Sequence, residues 1–580
     1  MRVSLARYSF GRVVGRRTLA AALIWGSATV AHAQVVTVPA TPQVGSSNPA
    51  TAEPPVTRPH GKPCVVPLFH DLAFADFNPK SFPYTPPSSC PGPWAKVVFT
   101  ADFTVSAGRQ YDRTAAFYLG HASIYYGTTA EPRSSLSPSW HVERDVTDLS
   151  AIFQSTQTGE ANIGNFVGVY NGVTYNGIIY ANAALEFYPA TRWDAAASAP
   201  DIVVPVNGSG GDAGTLNTGT DQITQALNLP NTVEKVYLDV IAQSQSNDEF
   251  WYFCVPNDEA ANLLSCGNTA FRETEVTIDG VPAGVAPVYP WIFTGGIDPY
   301  LWEPVTGVQT LAFRPYRVDL TPFAGLLGNG STHTIGIGVY NADSYFLATA
   351  NVLVYTDHGG KPVTGAVTGN TLSAAPTPAV SESISVDSTG SVYSGSVLVT
   401  SKRGYTISGY VDTSHGRVQT TVHQDVGFSS YQTFQVNPTL YAPDIQDAQQ
   451  LTTVDSQTTT REGGRDSTVE SHLRYPLVVD YAFLQNADGT YTQTTTVDQR
   501  NEFTEMLGRA GFAGSTRTRS EQVHSTDVLS YDANFNILAN SASKSSASYL
   551  STGGDDDCYS RKLTSASQVL LTVVDGDDCR

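Results

Sequence analysis

The chain has 580 residues, with 33 basic against 53 acidic side chains and a formal net charge of −20. That balance excludes a phosphate-seeking surface, so nucleic acid is not an expected partner. Glycine (49), Pro (34), Tyr (29) and Phe (24) are abundant, which favours many short strands and turns over long helices.

Residues 1–33 read as a signal peptide. Arg2, Arg7, Arg12, Arg16 and Arg17 form a basic leader, "TLAAALIWGSATVA" is an apolar core, and "AHA" is a small-residue cleavage site. A secreted or periplasmic product beginning near Gln34 is expected. No later apolar run is long enough to cross a bilayer as a helix, so no membrane association is expected. Residues 34–60 are rich in Pro, Ser and Thr without periodicity and read as an exposed linker.

From Cys64 onward, strand-length runs alternate with turn clusters, as in "AKVVFTADFTV" and "ALEFYPA". The chain then repeats itself. "DVTDL" at Asp145–Leu149 returns as "DLTPF" at Asp319–Phe323. "GVYN" at Gly168–Asn171 returns at Gly338–Asn341, and "NAALEFY" at Asn182–Tyr188 returns as "NVLVY" at Asn351–Tyr355. A period this long is a duplicated domain rather than a solenoid repeat. Two β-sandwiches are expected, over 61–200 and 225–360.

Residues 361–380 read as a second linker, and 381–580 as a separate β-rich module of Ser- and Thr-rich strands. Within it "TEMLGRAGFAG" is read as a short helical turn. The six cysteines fall in three local twos. In an exported chain they predict disulfides Cys64–Cys90, Cys254–Cys266 and Cys558–Cys579. Their spacings do not suit a metal site, and no metal is expected.

None of the common catalytic motifs occurs: no H-E-x-x-H, no P-loop and no G-x-S-x-G. Two acidic clusters meet aromatic residues at strand ends. One is Tyr111-Asp112-Arg113; the other is "NDEFWYF", with Asp248, Glu249, Trp251 and Tyr252. One falls in each sandwich, so a cleft between the domains would bring them together. Paired carboxylates there could activate water and protonate a leaving group. The competing reading makes each cluster structural, an ion pair at a strand mouth and a turn before a core strand. Glu131 and the residues around it read as structural.

The stretches "PCVVPLFHDLAFADF", "YTPPSSCP", "YDRTAAFYLG", "TAEPR", "EFWYF", "IFTGGIDPYLWEP" and "CYSR" resemble the acid-active peptide:N-glycanase A type glycoamidases. A fainter resemblance reaches the F-type glycanases, which are built from two jelly rolls. The implied fold is all-β: two tandem jelly-roll-like β-sandwiches plus a C-terminal β-rich domain. The implied activity is hydrolysis of the glycosylasparagine amide of N-linked glycopeptides or glycoproteins, with no cofactor. A glycan-binding adhesin and an endoglycosidase are the alternatives.

Carried over by motif, Asp112 matches the F-type catalytic aspartate and Glu249 a second functional glutamate. A third F-type glutamate falls near Asn171, where this chain has no acid. Arg113 is expected to position Asp112 or the sugar. Asp248 and Asn171 are expected to contact substrate, and Trp251 and Trp302 to offer stacking faces.

Overall fold

The structure is a computed structural model, and it describes residues 38–131, 133–509, 512–553 and 558–579. The expected signal peptide lies outside them. None of the described helices is long and apolar enough to cross a membrane.

The first sandwich contains β1 (Cys64–Phe74), β2 (Lys80–Tyr84), β3 (Trp94–Val105), β4 (Thr114–Leu119), β5 (Ala122–Thr128), β6 (Ser139–Asp145) and β7 (Gln157–Ile163). A small separate hairpin, β8 (Gly168–Tyr170) and β9 (Val173–Tyr175), precedes β10 (Ile179–Pro189). The second contains β11 (Ile202–Val206), β12 (Gly214–Thr218), β13 (Ile223–Leu227), β14 (Val233–Ser244), β15 (Glu273–Ile278), β16 (Val281–Pro287), β17 (Tyr316–Asp319), β18 (His333–Tyr340) and β19 (Asp343–Thr356).

The two halves share one strand order. The first pairs a β1-β10-β3-β6 sheet with a β2-β7-β4-β5 sheet. The second pairs β11-β19-β14-β17 with β13-β18-β15-β16, and β12 also pairs with β19. Taken in chain order, the eight strands of each half map one to one, as two four-stranded jelly-roll sheets. The strands of the second half begin at Ile202, ahead of residue 225.

The "DVTDL" and "DLTPF" repeats serve one purpose in both halves. Asp145 and Asp319 each accept the backbone N–H two residues on, at 3.0 and 2.9 Å. The hydroxyls of Thr147 and Thr321 accept from the backbone of Val97 and Val236, at 3.0 and 3.4 Å. A short acceptor two residues before a helical turn satisfies an otherwise orphaned donor, so both copies keep Asp-x-Thr. "GVYN" is different. Gly338–Asn341 runs from β18 into the tight turn before β19, whereas Gly168–Asn171 belongs to the β8–β9 hairpin, an insertion without counterpart in the second half.

The third unit is one twelve-stranded antiparallel sheet. β20 (Thr364–Asn370) and β21 (Ala379–Val386) both pair with β22 (Tyr393–Thr413). β23 (Gly416–Val436), β24 (Asp444–Glu462), β25 (Arg465–Gln485), β26 (Tyr491–Arg509) and β27 (Phe512–Tyr531) follow. β28 (Ile537–Asn540) adds to β27, and β29 (Lys544–Thr552), β30 (Cys558–Ala566) and β31 (Val569–Asp575) close the order. Period-two patterning makes this sheet one-sided. Along β23, Val418, Val422, Val426, Phe428, Phe434 and Val436 are buried while Gln419, His423, Asp425 and Tyr431 face out.

Four expectations are corrected here. The sheet is not a separate module, because its inner face shares one apolar cluster with the second jelly roll, from Val206 to Leu570. Buried glutamines also stitch it to jelly-roll loops: Gln432 donates to Tyr252 O at 3.0 Å and Gln499 to Pro290 O at 2.7 Å. Within the stretch read as a helical turn, residues 504–509 are strand, part of β26, and Ala510 and Gly511 lie outside the described residues. Residues 38–60 are a docked strap rather than an exposed linker. Ala50 is buried against Pro304 and Val305, Leu570 donates to Ser46, and Arg58 pairs with Glu143 and Glu186. An extended chain without its own ladder finds partners on neighbouring elements. Residues 361–380 likewise include a strand, β20, rather than only a linker.

All three disulfides form as expected, with Cα separations of 6.1, 4.4 and 5.7 Å.

Candidate active site

Asp112 stands just before β4, and Glu249 stands in the turn that follows β14. The two jelly rolls meet at this point. The Thr114 hydroxyl donates to Gln243 Oε1 at 3.1 Å and accepts from Gln245 Nε2 at 3.3 Å. These bonds tie the start of β4 to the end of β14 and bring the two acidic clusters together across 137 positions of sequence.

A third carboxyl joins them. Glu131 lies past β5, on a segment held beside Arg113. Arg113 N donates to Thr129 Oγ1 at 2.9 Å, Thr129 N donates to Arg113 O at 2.8 Å, and Gln110 Nε2 donates to Ala130 O at 2.7 Å. Glu131 Oε2 accepts the backbone N–H of Asp112 at 3.4 Å. Residues 292–296 close the recess from above. The Thr294 hydroxyl donates to Thr129 O at 2.8 Å, and Gly295 N donates to Asp112 Oδ2 at 3.0 Å.

All three side chains are half-buried, and burial dominates their electrostatics. Glu131 is pushed up to about 8 by burial and then by the charge on Asp112. Glu249 is pushed up to about 8 by burial and then by the charges on Asp112 and Glu131. Asp112 is also raised by burial, but the Gly295 N–H and the Arg113 guanidinium pull it back. Three mutually repelling acids in one recess cannot all ionise together, so the group keeps protons well above the ordinary carboxylate range. Asp112 has the most donors to its charged form and is the member best suited to be the anion.

Arg113 positions rather than reaches out. Its guanidinium donates to Tyr111 O, to Asp112 O at 3.0 Å and to Asn165 Oδ1 at 2.9 Å, with the residue 6% exposed. Asn165 in turn holds Phe74 O and Gly177 O at 2.9 and 3.0 Å, which fixes the base of the β8–β9 hairpin. Tyr175 of that hairpin meets Tyr111 edge-on at 5.8 Å. Asn171 sits at the exposed hairpin tip with φ 49°.

Three expected contacts are not available to a ligand. Asp248 is fully buried, paired with Arg272 at 2.8 and 3.0 Å and accepting from Asp343 N at 2.6 Å. Trp251 is fully buried against Tyr252 and Phe428. Trp302 is buried and donates from Nε1 to Gly296 O at 2.9 Å, bracing the loop that carries Gly295. Indole faces packed in a core cannot stack on a sugar. The stretch that supplies Glu131, "TAEPR", was visible in the sequence as part of the resemblance, but nothing local marked its acid as different from any turn glutamate.

The profile of the family described as "Peptide N-acetyl-beta-D-glucosaminyl asparaginase amidase A" matches residues 52–373, which span both jelly rolls and the end of the strap before them. The chain belongs to this family. Members of the amidase A family include a curated relative from Prunus dulcis named "Peptide-N4-(N-acetyl-beta-glucosaminyl)asparagine amidase A". It is 28% identical over 546 residues, covering 90% of this chain and 92% of the relative. Among solved structures, PNGase F, a glycosylasparaginase from Flavobacterium meningosepticum, is 14% identical. It covers 51% of this chain and 96% of its own, with a TM-score of 0.34. PNGF-II in the P21 space group is also 14% identical, over 51% of this chain and 66% of its own, with a TM-score of 0.36.

Proposed function

We propose that this amidase A family member hydrolyses the amide joining an N-linked glycan to asparagine. The whole glycan is released and Asn becomes Asp. The observation that carries this reading is the convergence of Asp112, Glu131 and Glu249 from three distant segments at the jelly-roll seam.

Breaking an amide needs two things at once: a nucleophile at the carbonyl carbon, and a proton for a nitrogen that otherwise leaves badly. Asp112, the best-stabilised anion of the three, takes a proton from water as that water adds to the carbonyl. Glu131 and Glu249, held at about 8, are protonated in acid and neutral solution. One of them delivers its proton to the departing nitrogen as the C–N bond breaks. The products are an aspartate side chain and a glycosylamine, which water then converts to ammonia and the free sugar. The proton donor is spent as pH rises through about 8, so activity belongs to the acid side of that value. Arg113 fixes Asp112 by holding its carbonyl. Asn171 and the β8–β9 hairpin lie where they would face the substrate beside Tyr111.

The substrate is an N-linked glycopeptide or glycoprotein, the class named for the Prunus dulcis relative. Three disulfides fit folding in an oxidising compartment, which favours a secreted or periplasmic enzyme.

The test is a glycopeptide digest read by mass spectrometry. The expected peptide carries no sugar and has the mass of Asp at the former Asn. A residual N-acetylglucosamine would make the protein an endoglycosidase, and an unchanged glycopeptide would make it a binding protein.

A further inference from the structure

The loop that holds Asp112 is itself held from below. Two residues past Gly296 stands Asp298, 2% exposed, whose Oδ1 accepts from Tyr300 N at 2.9 Å. Its other oxygen accepts from Gln493 Nε2 of β26 at 3.2 Å. The same carboxyl faces the carboxyl of Asp527 on β27, which is fully buried. Asp527 Oδ1 accepts from Asn540 Nδ2 of β28 at 2.9 Å, and no neutral or cationic donor reaches Oδ2 among the described residues.

Two carboxylates cannot hydrogen-bond to one another, because neither has a donor. One must carry a proton for the contact to exist, as in any pair of acids sharing a site. Other groups face the pair. Glu303 and Tyr300 come from the same loop, and Arg133, paired with Glu303 at 3.1 Å, comes from the segment past β5. Tyr531 comes from β27, and Tyr481, beside Asp444, comes from β25. Arg133 is the one cation in this set, and it is engaged by Glu303. Among the described residues, no further cation faces the pair to offset a second negative charge.

We propose that Asp298 and Asp527 share one proton across the seam between the second jelly roll and the twelve-stranded sheet, and that this proton latches the 293–303 loop in place over Asp112. With the proton present, the loop is pinned and the Gly295 N–H meets Asp112 Oδ2. When the proton is lost to solvent base, two buried anions face each other and the loop lifts from the sheet. Gly295 then leaves Asp112. Asp527 is thus a positioning residue that acts through the loop. It gives the long sheet a part in the reaction although no strand of that sheet carries one of the three recess acids.

Hydrogen exchange of the free protein tests the latch without reference to catalysis. Protection of residues 293–303, corrected for intrinsic chemistry, should fall between about pH 5 and about pH 9 while the β3 and β14 cores stay protected. In Asp527→Asn the amide donates permanently, so that protection should stay flat. Protection in the native chain that does not change over this range overturns the proposal, whether or not the variant folds. Parallel loss in the folded variant overturns it too. A second arm rests on the glycoamidase reading. The ratio of kcat/KM for D527N to that of the native enzyme should rise about tenfold or more from acid to alkaline pH. Titration of Glu131 and Glu249 is common to both proteins, whereas Asp112 loses its Gly295 donor only in the native chain, so a constant ratio counts against the latch. Inactivity of both proteins at every pH counts against the glycoamidase reading alone, and the exchange result still stands.

Discussion

Gly295 donates its backbone N–H to Asp112 Oδ2 at 3.0 Å, and it does so from a narrow gap between two acid side chains. A Cβ on Gly295 would collide with Glu131 Oε2 and stand 3.1 Å from Asp112 Oδ1. The backbone passes between two acids of the recess, and a Cβ there would have to push the Glu131 carboxyl aside. Gly295→Ala should therefore shift the loop or rotate the acids. We expect a stability cost of about 1–3 kcal/mol and a fall in kcat/KM of about tenfold or more. Thermal unfolding and glycopeptide kinetics on one preparation measure both. An alanine variant with native kinetics would mean that this contact does not position Asp112.

Asp112→Asn keeps the shape and removes the base. Turnover should drop by about 10²–10⁴-fold. Because burial raises Asp112, its charged form is a liability to the fold, so the melting temperature at neutral pH should hold or rise. A variant that keeps native turnover removes Asp112 from the mechanism.

Asp248→Asn separates structure from chemistry. Its carboxylate neutralises Arg272 where neither side chain is exposed. Leaving that guanidinium without its anion should cost about 3–5 kcal/mol. Activity per folded molecule should stay close to native, since Asp248 does not reach the recess. Selective loss of substrate affinity, with stability intact, would restore it as a ligand contact.

Stability should decline as the medium becomes alkaline. Glu131 and Glu249 stand at about 8 in the folded protein, and Glu273 and Glu303 at about 7, each because burial penalises its charge. A raised carboxyl contributes stability in full below its unfolded value, near 4.5, and loses it as pH rises through the folded value. Glu143 runs the other way. Arg58 and His141 hold it down to about 2 despite its burial, so its contribution is lost as pH falls from about 4.5 toward 2. The melting temperature should therefore peak on the acid side of neutrality. The double variant Glu131→Gln/Glu249→Gln should flatten the fall between about pH 5 and about pH 8. An unchanged slope in the double variant would mean that these two side chains are not held protonated.

Much of the architecture was legible in one dimension because strand patterning is local. Ser- and Thr-rich strand runs marked a third β-rich unit, three local cysteine twos marked three bridges, and the recurring Asp-x-Thr segment marked a duplicated domain. The "GVYN" match shows the limit: the same four residues end a paired strand in one half and form a detached hairpin in the other. Asp112 and Glu249 were singled out as candidates by motif, and the fold brings them into one recess. Glu131 carried no local sign, because a turn glutamate becomes unusual only when two other acids are folded against it.

By itself, then, the sequence determined what backbone patterning and short-range chemistry can encode: strands, turns, bridges and the duplicated order. Tertiary structure alone decided which acids share a recess, and it turned Trp251, Trp302 and Asp248 from ligand contacts into supports. The reason is that burial and mutual repulsion belong to positions in space. A carboxyl's charge is set by neighbours that arrive from elsewhere in the chain, and by the water they exclude.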